Sequence, residues 1–163
     1  STMPALITYR TPVKADWVDY NGHLRDAFYL LIFTYATDAL MEQIGLDADS
    51  RGRNGHSLFT LEAHINYLQE VKFDTEVWVQ TQIIGFDQKR LHVYHSLHRH
   101  GLEEILAASE QLLLHVDIAG PRSTPFSSRT LQGLERVTAQ QRDVHKPEHV
   151  GKTIQLPNGN NAQ

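Results

Sequence analysis

Residues 16–41 read DWVDYNGHLRDAFYLLIFTYATDALM and join a short polar loop to a long apolar run. From residue 27 onward the run is apolar on most of its circumference, which predicts a helix that is buried rather than laid on a surface. A short carboxylate accepts bonds from free N–H groups and glycine tolerates the left-handed conformation, so we place the N-cap at Asp26 and the C-terminal stop at Gly45. About 18 helical residues would span about 27 Å, the width of a small domain.

The loop in front of this helix contains side chains that can do chemistry. Asp16, Asp19 and His23 stand around an Asn21–Gly22 turn signal. The start of a helix offers unpaired backbone N–H groups and the positive end of a dipole, and both suit a carbonyl oxygen that gains negative charge. The stretch therefore predicts a carboxylate and an imidazole at the mouth of a buried helix.

The composition limits the classes of protein to which the chain can belong. Its 163 residues fit one domain with a sizeable core, and a net charge of -4 gives no general attraction to nucleic acid or to an anionic membrane. No apolar run reaches the roughly 18 residues of a membrane span. The sequence has no cysteine, which excludes disulfides and thiolate nucleophiles. We therefore expect a cytoplasmic protein without nucleic-acid or membrane partners.

The remaining sequence predicts strands and one further helix. We expect a first strand at residues 5–15, a surface loop at 46–56, strands at 57–68, 75–85, 90–100 and 105–117, and a short amphipathic helix at 128–142. The run at 105–117 is ambiguous, because its first half also suits a helix. A buried helix followed by long strands is typical of an α+β domain. We expect residues 1–150 to form this single domain and residues 151–163 to form a polar tail.

The motif Asp19-x-x-Gly22-His23, followed by Tyr29, resembles the signature of the 4-hydroxybenzoyl-CoA thioesterase-like branch of the hotdog fold. The segments DWVDYNGH, ATDAL, IGLDAD, QKRLHVYHSLHR and EQLLLHVD are similar to the betainyl-CoA thioesterases of bacterial carnitine breakdown, some of which are fused to a carnitine dehydrogenase. The resemblance covers residues 12–120. It implies an α+β hotdog fold, in which an antiparallel sheet of about five strands wraps around one long central helix.

The same resemblance implies an assembly and an activity. Hotdog proteins pair their sheets across subunits, so we expect a homodimer or homotetramer with the site at a subunit boundary. The implied reaction is hydrolysis of a small acyl-CoA thioester, and betainyl-CoA is the favoured substrate.

The resemblance assigns the chemistry to the start of the helix. Asp19 matches the catalytic aspartate of the family and would act as nucleophile or general base, although from the residues alone it could simply cap the turn. His23 would bond the substrate carbonyl or hold Asp19, unless it is a structural loop histidine. Backbone N–H groups near Arg25 and Asp26 would stabilise the oxyanion. The family often carries two asparagines here, but a backbone role does not depend on the side chain.

Aromatic and polar residues near the loop are candidates for substrate binding. Aromatic faces bind the trimethylammonium group of betaine well, because the ring quadrupole attracts cations. Glu62 and His64 share one strand face by the period of two, so they line one pocket or lie on the wet side of the strand. Any single aromatic could equally be a core or interface residue. The full expected set is Trp17, Tyr20, Asn21, Phe59, Glu62, His64 and Tyr67.

Coenzyme A is part of the substrate, so no separate cofactor is expected. Its phosphates require positive charge, for which Lys89, Arg90 and Arg122 are candidates unless they are ordinary solvated charges. The histidine-rich run 92–100 invites a metal interpretation. We expect no metal, because His95 alternates to the opposite face from its neighbours and no carboxylate stands at a ligand spacing.

Two other functions fit parts of the same pattern. A non-catalytic acyl-CoA-binding protein would keep the cleft and the basic residues but make Asp19 dispensable. A hotdog dehydratase would use the histidine and a carboxylate on the β-carbon of an acyl chain. The position of Asp19 and His23 ahead of the helix favours the thioesterase over the dehydratase.

Overall fold

The computed structural model describes residues 6–157. In chain order its elements are β1 (Ile7–Pro12), α1 (Asp26–Gln43), α2 (Ala48–Asn54), β2 (His56–Tyr67), β3 (Glu76–Phe86), β4 (Arg90–Arg99), β5 (Ala107–Asp117), β6 (Arg122–Ser123) and α3 (Ser128–Gln140). A 3-10 turn at Ala15–Trp17 follows β1. Residue 5 of the predicted first strand and residues 158–163 of the predicted tail lie outside the described residues.

The strands form one antiparallel sheet in the order β1-β3-β4-β5-β2, and β6 adds a short pair with β5. The strands β1 and β2 are therefore the two edges of the main path. The helix α1 crosses one face of this sheet and contacts β1, β3 and β5. A curled antiparallel sheet around one long helix confirms the predicted α+β hotdog fold.

The inner face of the sheet is apolar because side chains alternate along each strand. On β3, Val77, Val79 and Ile83 point toward α1 and are buried. One core cluster surrounds the N-terminal half of α1, and a second joins its C-terminal half to α3. Most helical stability in proteins comes from tertiary packing of this kind, so the core rather than local propensity holds α1 in place.

The ends of α1 match the prediction with one difference. The N-cap is Arg25, whose side chain makes no capping bond, and Asp26 is the first helical residue. Asp26 still serves the helix end, because its Oδ1 accepts the N–H of Ala27 at 2.9 Å. Gly45 follows the helix with φ of 85°, the left-handed conformation predicted for it. In the single chain Leu30 on the flank of α1 remains 39 % exposed.

The prediction of a surface loop at 46–56 is wrong, because the segment contains the helix α2. Asp47 caps this helix by accepting the N–H of Ser50, and Gly55 ends it in the left-handed conformation. Both are ordinary helix-end signals, but a seven-residue polar helix has no apolar stripe to reveal it. The two-residue strand β6, which pairs with β5, was not predicted either.

The long predicted strands and the C-terminal helix are confirmed to within two residues at each end. The ambiguous run at 105–117 is a strand from Ala107. The first strand is shorter than predicted and ends at Pro12, which lies on an edge strand as its missing N–H requires.

The segment after α3 is attached to the sheet. The Gln141 side chain accepts the N–H of Ile83 at 2.9 Å and donates to the carbonyl of Thr81 at 2.7 Å, so it pairs with β3 as a strand would. Farther along, the N–H of Gly151 donates to Glu110 at 2.7 Å. Within residues 6–157 no helix has the length and apolar character needed to span a membrane.

Candidate active site

The loop before α1 folds as a tight hairpin around the carboxylate of Asp19. Val18 pairs with Leu24, and the N–H of Asp19 donates to the carbonyl of His23 at 2.9 Å. Oδ1 of Asp19 accepts the N–H groups of Asn21 at 2.9 Å and His23 at 3.0 Å. The hydrogen bond from the backbone N–H of His23 is the largest influence on the pKa of Asp19 and lowers it. Partial burial has the opposite, smaller effect. Oδ2 makes no hydrogen bond within residues 6–157, so it is available to a substrate or a water molecule.

His23 is held through its backbone and its ring. Its backbone pairs with Lys72, and its Nε2 lies 3.5 Å from Oε2 of Glu70. The imidazole thus lies near a carboxylate that the sequence does not mark. Glu70 becomes a neighbour of His23 only through the pairing of residues 23 and 72, and no local spacing in the sequence predicts this pairing.

The start of α1 leaves one backbone N–H without a partner in the part of the chain that is described. The N–H of Arg25 donates to the carbonyl of Trp17 at 2.9 Å, and the N–H of Phe28 donates to Arg25 at 3.0 Å. The N–H of Ala27 is bonded by the side chain of Asp26. Of the two predicted oxyanion donors, Asp26 is therefore available and Arg25 is occupied.

Two of the aromatic residues predicted to bind substrate, Trp17 and Tyr67, lie near the start of α1 and differ in solvent exposure. Trp17 is buried, and its ring stacks on Phe28 with the centroids 6.3 Å apart. Tyr67 is 51 % exposed, packs edge-on against Tyr29 at 5.0 Å, and donates its hydroxyl to the carbonyl of Asp26 at 3.2 Å. Tyr67 rather than Trp17 is open to a ligand at the start of α1.

The other predicted contacts of the loop and of β2 lie apart from Tyr67. Tyr20 and Asn21 are exposed at the tip of the hairpin. Phe59 lies on the outer face of β2, whereas the strand pairing puts Tyr67 on the inner face. A single chain therefore does not bring the four predicted aromatics together.

Glu62 and His64 share one face of β2, and it is the outer face of the sheet, away from α1. With His92 and Glu110 they line a cavity of about 480 Å³. Nε2 of His92 lies 2.6 Å from Oε2 of Glu110. Burial by itself would raise the pKa of Glu110, but the N–H of Gly151 and the ring of His92 outweigh burial and lower the pKa. Within one chain the sheet separates this cavity from Asp19.

A second cavity, of about 260 Å³, opens on the inner side between α1 and β2. Asp38 of α1 and Arg51 of α2 line it together with Thr60 and Gln111. Burial raises the pKa of Asp38, and the charge of Arg51 opposes this effect. Twelve residues along a helix correspond to about 18 Å, so Asp38 is too far from Asp26 to contact the same small acyl group.

The predicted coenzyme A contacts lie at the opposite end of the sheet from Asp19. Lys89 and Arg90 stand at the turn between β3 and β4, and Arg122 begins β6. Nζ of Lys89 donates to Ser123 at 3.2 Å, whereas Arg90 forms an ion pair with Asp87 at 2.7 Å. The length of β3 is about 33 Å, which separates these cations from Asp19 within one chain.

The histidines of β4 divide between the two faces of the sheet as the period of two predicts. His95 is buried beneath α1, whereas His92 and His98 lie on the outer face. Within residues 6–157 no three His, Asp or Glu side chains are arranged to hold a metal ion.

Comparison with known proteins gives one family and several close relatives. The sequence profile of the Thioesterase-like superfamily matches residues 13–134. The chain is similar to the betainyl-CoA thioesterase of Pseudomonas aeruginosa, with 57% identity over 152 residues, 93% of this chain and 96% of that protein. It is 41% identical over 143 residues to the L-carnitine dehydrogenase/betainyl-CoA thioesterase of Agrobacterium fabrum, covering 87% of this chain but 29% of that larger protein.

Two solved structures resemble the chain over nearly its whole length. A proposed thioesterase from Pseudomonas putida KT2440 has 67% sequence identity and a TM-score of 0.86, covering 96% of this chain and 100% of that one. A Staphylococcus aureus protein solved in complex with CoA has 25% identity and a TM-score of 0.87, covering 96% of this chain and 99% of that one. With the profile match over most of its length, this chain belongs to the Thioesterase-like superfamily.

Proposed function

We propose that this protein hydrolyses the thioester bond of betainyl-CoA and releases betaine and coenzyme A. The 57% identity to a betainyl-CoA thioesterase over 152 residues supports both the reaction and the acyl group. The single observation that carries the mechanism is the carboxylate of Asp19. One of its oxygens is fixed in the hairpin before α1, while the other has no hydrogen bond from residues 6–157.

The substrate carbonyl would bind at the start of α1. Its oxygen would accept the free N–H of Asp26, where the helix dipole also favours negative charge. Removing one oxyanion donor of this kind from an enzyme typically costs about 10²–10³ in kcat. His23 holds Asp19 through its backbone N–H, and its imidazole, 3.5 Å from Glu70, would position a water molecule or the substrate carbonyl.

Asp19 can break the thioester in two ways. As a general base it takes a proton from water, the hydroxide oxygen bonds to the carbonyl carbon, and collapse of the oxyanion breaks the C–S bond. The departing thiolate takes the proton from Asp19, which leaves betaine and the free thiol. As a nucleophile Asp19 itself displaces the thiolate to form an anhydride, which water then hydrolyses. Because its pKa is lowered, the carboxylate is ionised at neutral pH for either route.

A homodimer formed through β2 is part of the proposal. This strand has twelve residues and exposes Phe59 and Leu61, and among residues 6–157 it pairs with β5 alone. A long edge without a neighbour in this part of the chain invites another strand. Antiparallel addition of β2 from a second copy would make one continuous sheet.

In such an antiparallel dimer, the C-terminal end of β2 in one subunit would lie beside the N-terminal end of β2 in its partner. The start of α1 in one subunit would then face α2 of its partner, whose Arg51 and Arg53 end this helix. These arginines, with the Lys89 and Arg90 end of the sheet beyond them, are the proposed contacts for the phosphates of coenzyme A. A cytoplasmic location belongs to the same proposal, because coenzyme A thioesters are intracellular metabolites.

Thiol release from a panel of acyl-CoA esters tests the function. The panel contains betainyl-CoA, 4-hydroxybenzoyl-CoA and straight-chain esters, and the proteins are the wild type, Asp19→Asn and the control Asp16→Asn. Asparagine keeps the Oδ1 that holds the hairpin, so we expect Asp19→Asn to fold normally yet lose at least about 100-fold in kcat, a typical loss for an acid–base group. Asp16 is an exposed neighbour, and its variant should match the wild type.

Other outcomes would support a different function. Equal rates for wild type and Asp19→Asn would remove Asp19 from the mechanism. Binding of CoA esters without release of any thiol would identify a non-catalytic acyl-CoA binder. Loss of water from a 3-hydroxyacyl-CoA would identify a dehydratase.

A further inference from the structure

The proposed function, on which this inference rests, sets a requirement on the acyl end of the site. In betainyl-CoA the quaternary nitrogen and the carbonyl carbon are separated by one methylene, a distance of about 2.5 Å. Whatever binds the ammonium must therefore lie beside the group that binds the carbonyl oxygen, which is the free N–H of Asp26. A quaternary ammonium has no N–H to donate, so aromatic faces and negative charge recognise it.

Tyr67 is an aromatic ring fixed beside this N–H. Its hydroxyl donates to the carbonyl of Asp26 at 3.2 Å, and its ring meets Tyr29 at 87° with the centroids 5.0 Å apart. Contacts at both ends hold the ring in one orientation, yet the residue remains 51 % exposed. An immobilised, half-open aromatic ring at the start of α1 suits a methylated cation.

One carboxylate residue lies near each ring of this pair. The hydroxyl of Tyr67 donates to the backbone of Asp26, and the hydroxyl of Tyr29 donates at 3.2 Å to the carbonyl of Gln69, which precedes Glu70. Asp26 is exposed and uses only Oδ1 to bond the N–H of Ala27. The carboxylate of Glu70 is 79% exposed and lies 3.5 Å from His23. Burial raises the pKa of Tyr67 and the charge of Asp26 raises it further, while burial followed by Tyr67 and Glu70 raises the pKa of Tyr29 to about 12. Asp26 therefore adds negative charge near Tyr67, and Glu70 adds negative charge near Tyr29.

Trp17, two residues before Asp19 in the sequence, cannot serve as the cation site in the same way. It is buried against Phe28, and Nζ of Lys14 already lies 5.1 Å from the centre of its ring. A second cation at this ring would be repelled by the lysine.

We infer that Tyr67, Asp26 and Glu70 form the subsite for the trimethylammonium group. The ring of Tyr67 contacts the methyl groups, and the two carboxylates balance the fixed positive charge.

The carboxylate of Asp26 also discriminates between acyl groups. It belongs to the residue whose N–H faces the developing oxyanion, and two negative charges at such a short distance repel each other. A bound ammonium cancels this repulsion, whereas a neutral acyl group leaves it in place. Asp26 is therefore a specificity-determining residue that favours a cationic acyl group over a neutral group of the same shape.

The test compares betainyl-CoA with 3,3-dimethylbutanoyl-CoA, in which carbon replaces the quaternary nitrogen and the shape is retained. We would measure kcat/KM for both esters with the wild type, Asp26→Asn and Glu70→Gln, and with Glu135→Gln on α3 as the matched control. Asparagine keeps the Oδ1 that bonds Ala27, so the start of α1 is preserved. We expect the wild type to prefer betainyl-CoA by about 100-fold or more, and Asp26→Asn to reduce this preference by about tenfold.

The direction of each change is specific. Asp26→Asn should slow hydrolysis of betainyl-CoA and accelerate hydrolysis of the neutral ester. Glu70→Gln should reduce kcat/KM for betainyl-CoA more than for the neutral ester, while Glu135→Gln should leave the preference unchanged. Tyr67→Leu should raise KM for betainyl-CoA more than KM for the neutral ester. If betainyl-CoA is hydrolysed and the preference is the same in every variant, the inference is wrong and the proposed function stands. If the wild type releases no thiol from any ester, both are wrong.

Discussion

At the scale of the residue, Asp19 has a structural role in the hairpin, and the proposed chemistry uses the same carboxylate. One oxygen accepts two backbone N–H groups of its own hairpin, and the other is unbonded in the described chain. Turn capping and the proposed catalysis are thus not alternatives, because they would use different oxygens. The bonds that fix the hairpin also lower the pKa of Asp19 and keep it charged.

A second set of residues forms a buried hydrogen-bond chain across the core. The hydroxyl of Thr37 donates to the carbonyl of Phe33 at 3.2 Å, so it accepts from Nε2 of His95 at 2.9 Å. Nδ1 of His95 then accepts from the hydroxyl of Thr81 at 2.8 Å, and Thr81 is bonded by Thr8 at 2.8 Å. The chain joins α1 to β4, β3 and β1 and leaves the buried imidazole fully bonded.

Removing one member of this chain should destabilise the protein. Thr37→Val leaves the Nε2–H of His95 buried without an acceptor, and we expect a loss of about 1–3 kcal/mol in the free energy of unfolding. The control is Thr34→Val one turn earlier on α1, where the exposed hydroxyl bonds only the carbonyl of Leu30. Its effect should stay within about 0.5 kcal/mol. Urea denaturation measures both, and equal losses would contradict the assigned network.

His95 should also make stability depend on pH. Burial lowers the pKa of His95 from 6.5 to about 3, and its ring contacts Thr37, Thr81 and Phe33, none of which titrates in this range. Below pH 6.5 the unfolded chain therefore binds a proton that the folded chain does not. Folding stability is unaffected by this group above pH 6.5 and falls as the pH drops toward 3, by up to roughly 4–5 kcal/mol at about 1.4 kcal/mol per unit.

The measurement is the free energy of unfolding between pH 4 and pH 7 for the wild type and His95→Gln. We expect a shallower slope in the variant, because the group that gains the proton is gone. Some slope should remain, since burial also lowers the pKa values of His98 and His115. Identical slopes would show that His95 does not have the lowered pKa.

At the scale of the element, α3 packs tightly against the C-terminal end of α1 at Gly133. A Cβ at this position would lie 2.7 Å from the backbone Cα of Ile44, at the end of α1. The absence of a side chain is therefore what lets α3 pack on α1 and join the second core cluster.

Two helical glycines should respond in opposite ways to alanine. Gly133→Ala should lower the free energy of unfolding by about 1–3 kcal/mol. The clash of the new methyl group with the backbone of Ile44 outweighs the gain of about 1 kcal/mol in helix propensity. Gly52→Ala in α2 meets nothing within 4 Å and should gain about 0.5–1 kcal/mol. Thermal or urea unfolding of the two variants provides the comparison. A stabilised Gly133→Ala would contradict the tight contact between α1 and α3.

At the scale of the whole molecule, the free edge of β2 predicts how the subunits assemble. Leu61→Arg puts a charge on an edge residue that is 50 % exposed in the single chain, and we expect it to convert the proposed dimer to a monomer. Val144→Arg is the control. Val144 is 40 % exposed in the segment after α3, which lies against β3 and β4 and away from the edge of β2. Light scattering after size-exclusion chromatography measures the mass of each variant.

Activity should follow assembly if the partner completes the site. We expect the monomeric Leu61→Arg to lose most of its thioesterase activity and Val144→Arg to retain it. A wild type that is monomeric and fully active at assay concentration would rule out the β2 dimer.

The sequence by itself determined the fold class and the proposed location of the chemistry. The apolar run of α1, the alternation on β3 and the spacing of Asp19, Gly22 and His23 are local patterns. Each pattern follows from the geometry of its own helix, strand or turn. It can therefore be interpreted without knowing which residues lie across the core.

Only the tertiary structure decided which groups meet. The period of two predicts that Glu62 and His64 share a face, but only the pairing of β2 with β5, with its bulge after Thr60, puts that face on the outside. The meeting of Tyr67 with Asp26, and of Glu70 with His23, likewise depends on contacts between residues distant in sequence. The physical reason is that a local pattern fixes the direction of a side chain relative to its own strand or helix, whereas its neighbours are fixed by the packing of the whole sheet around α1.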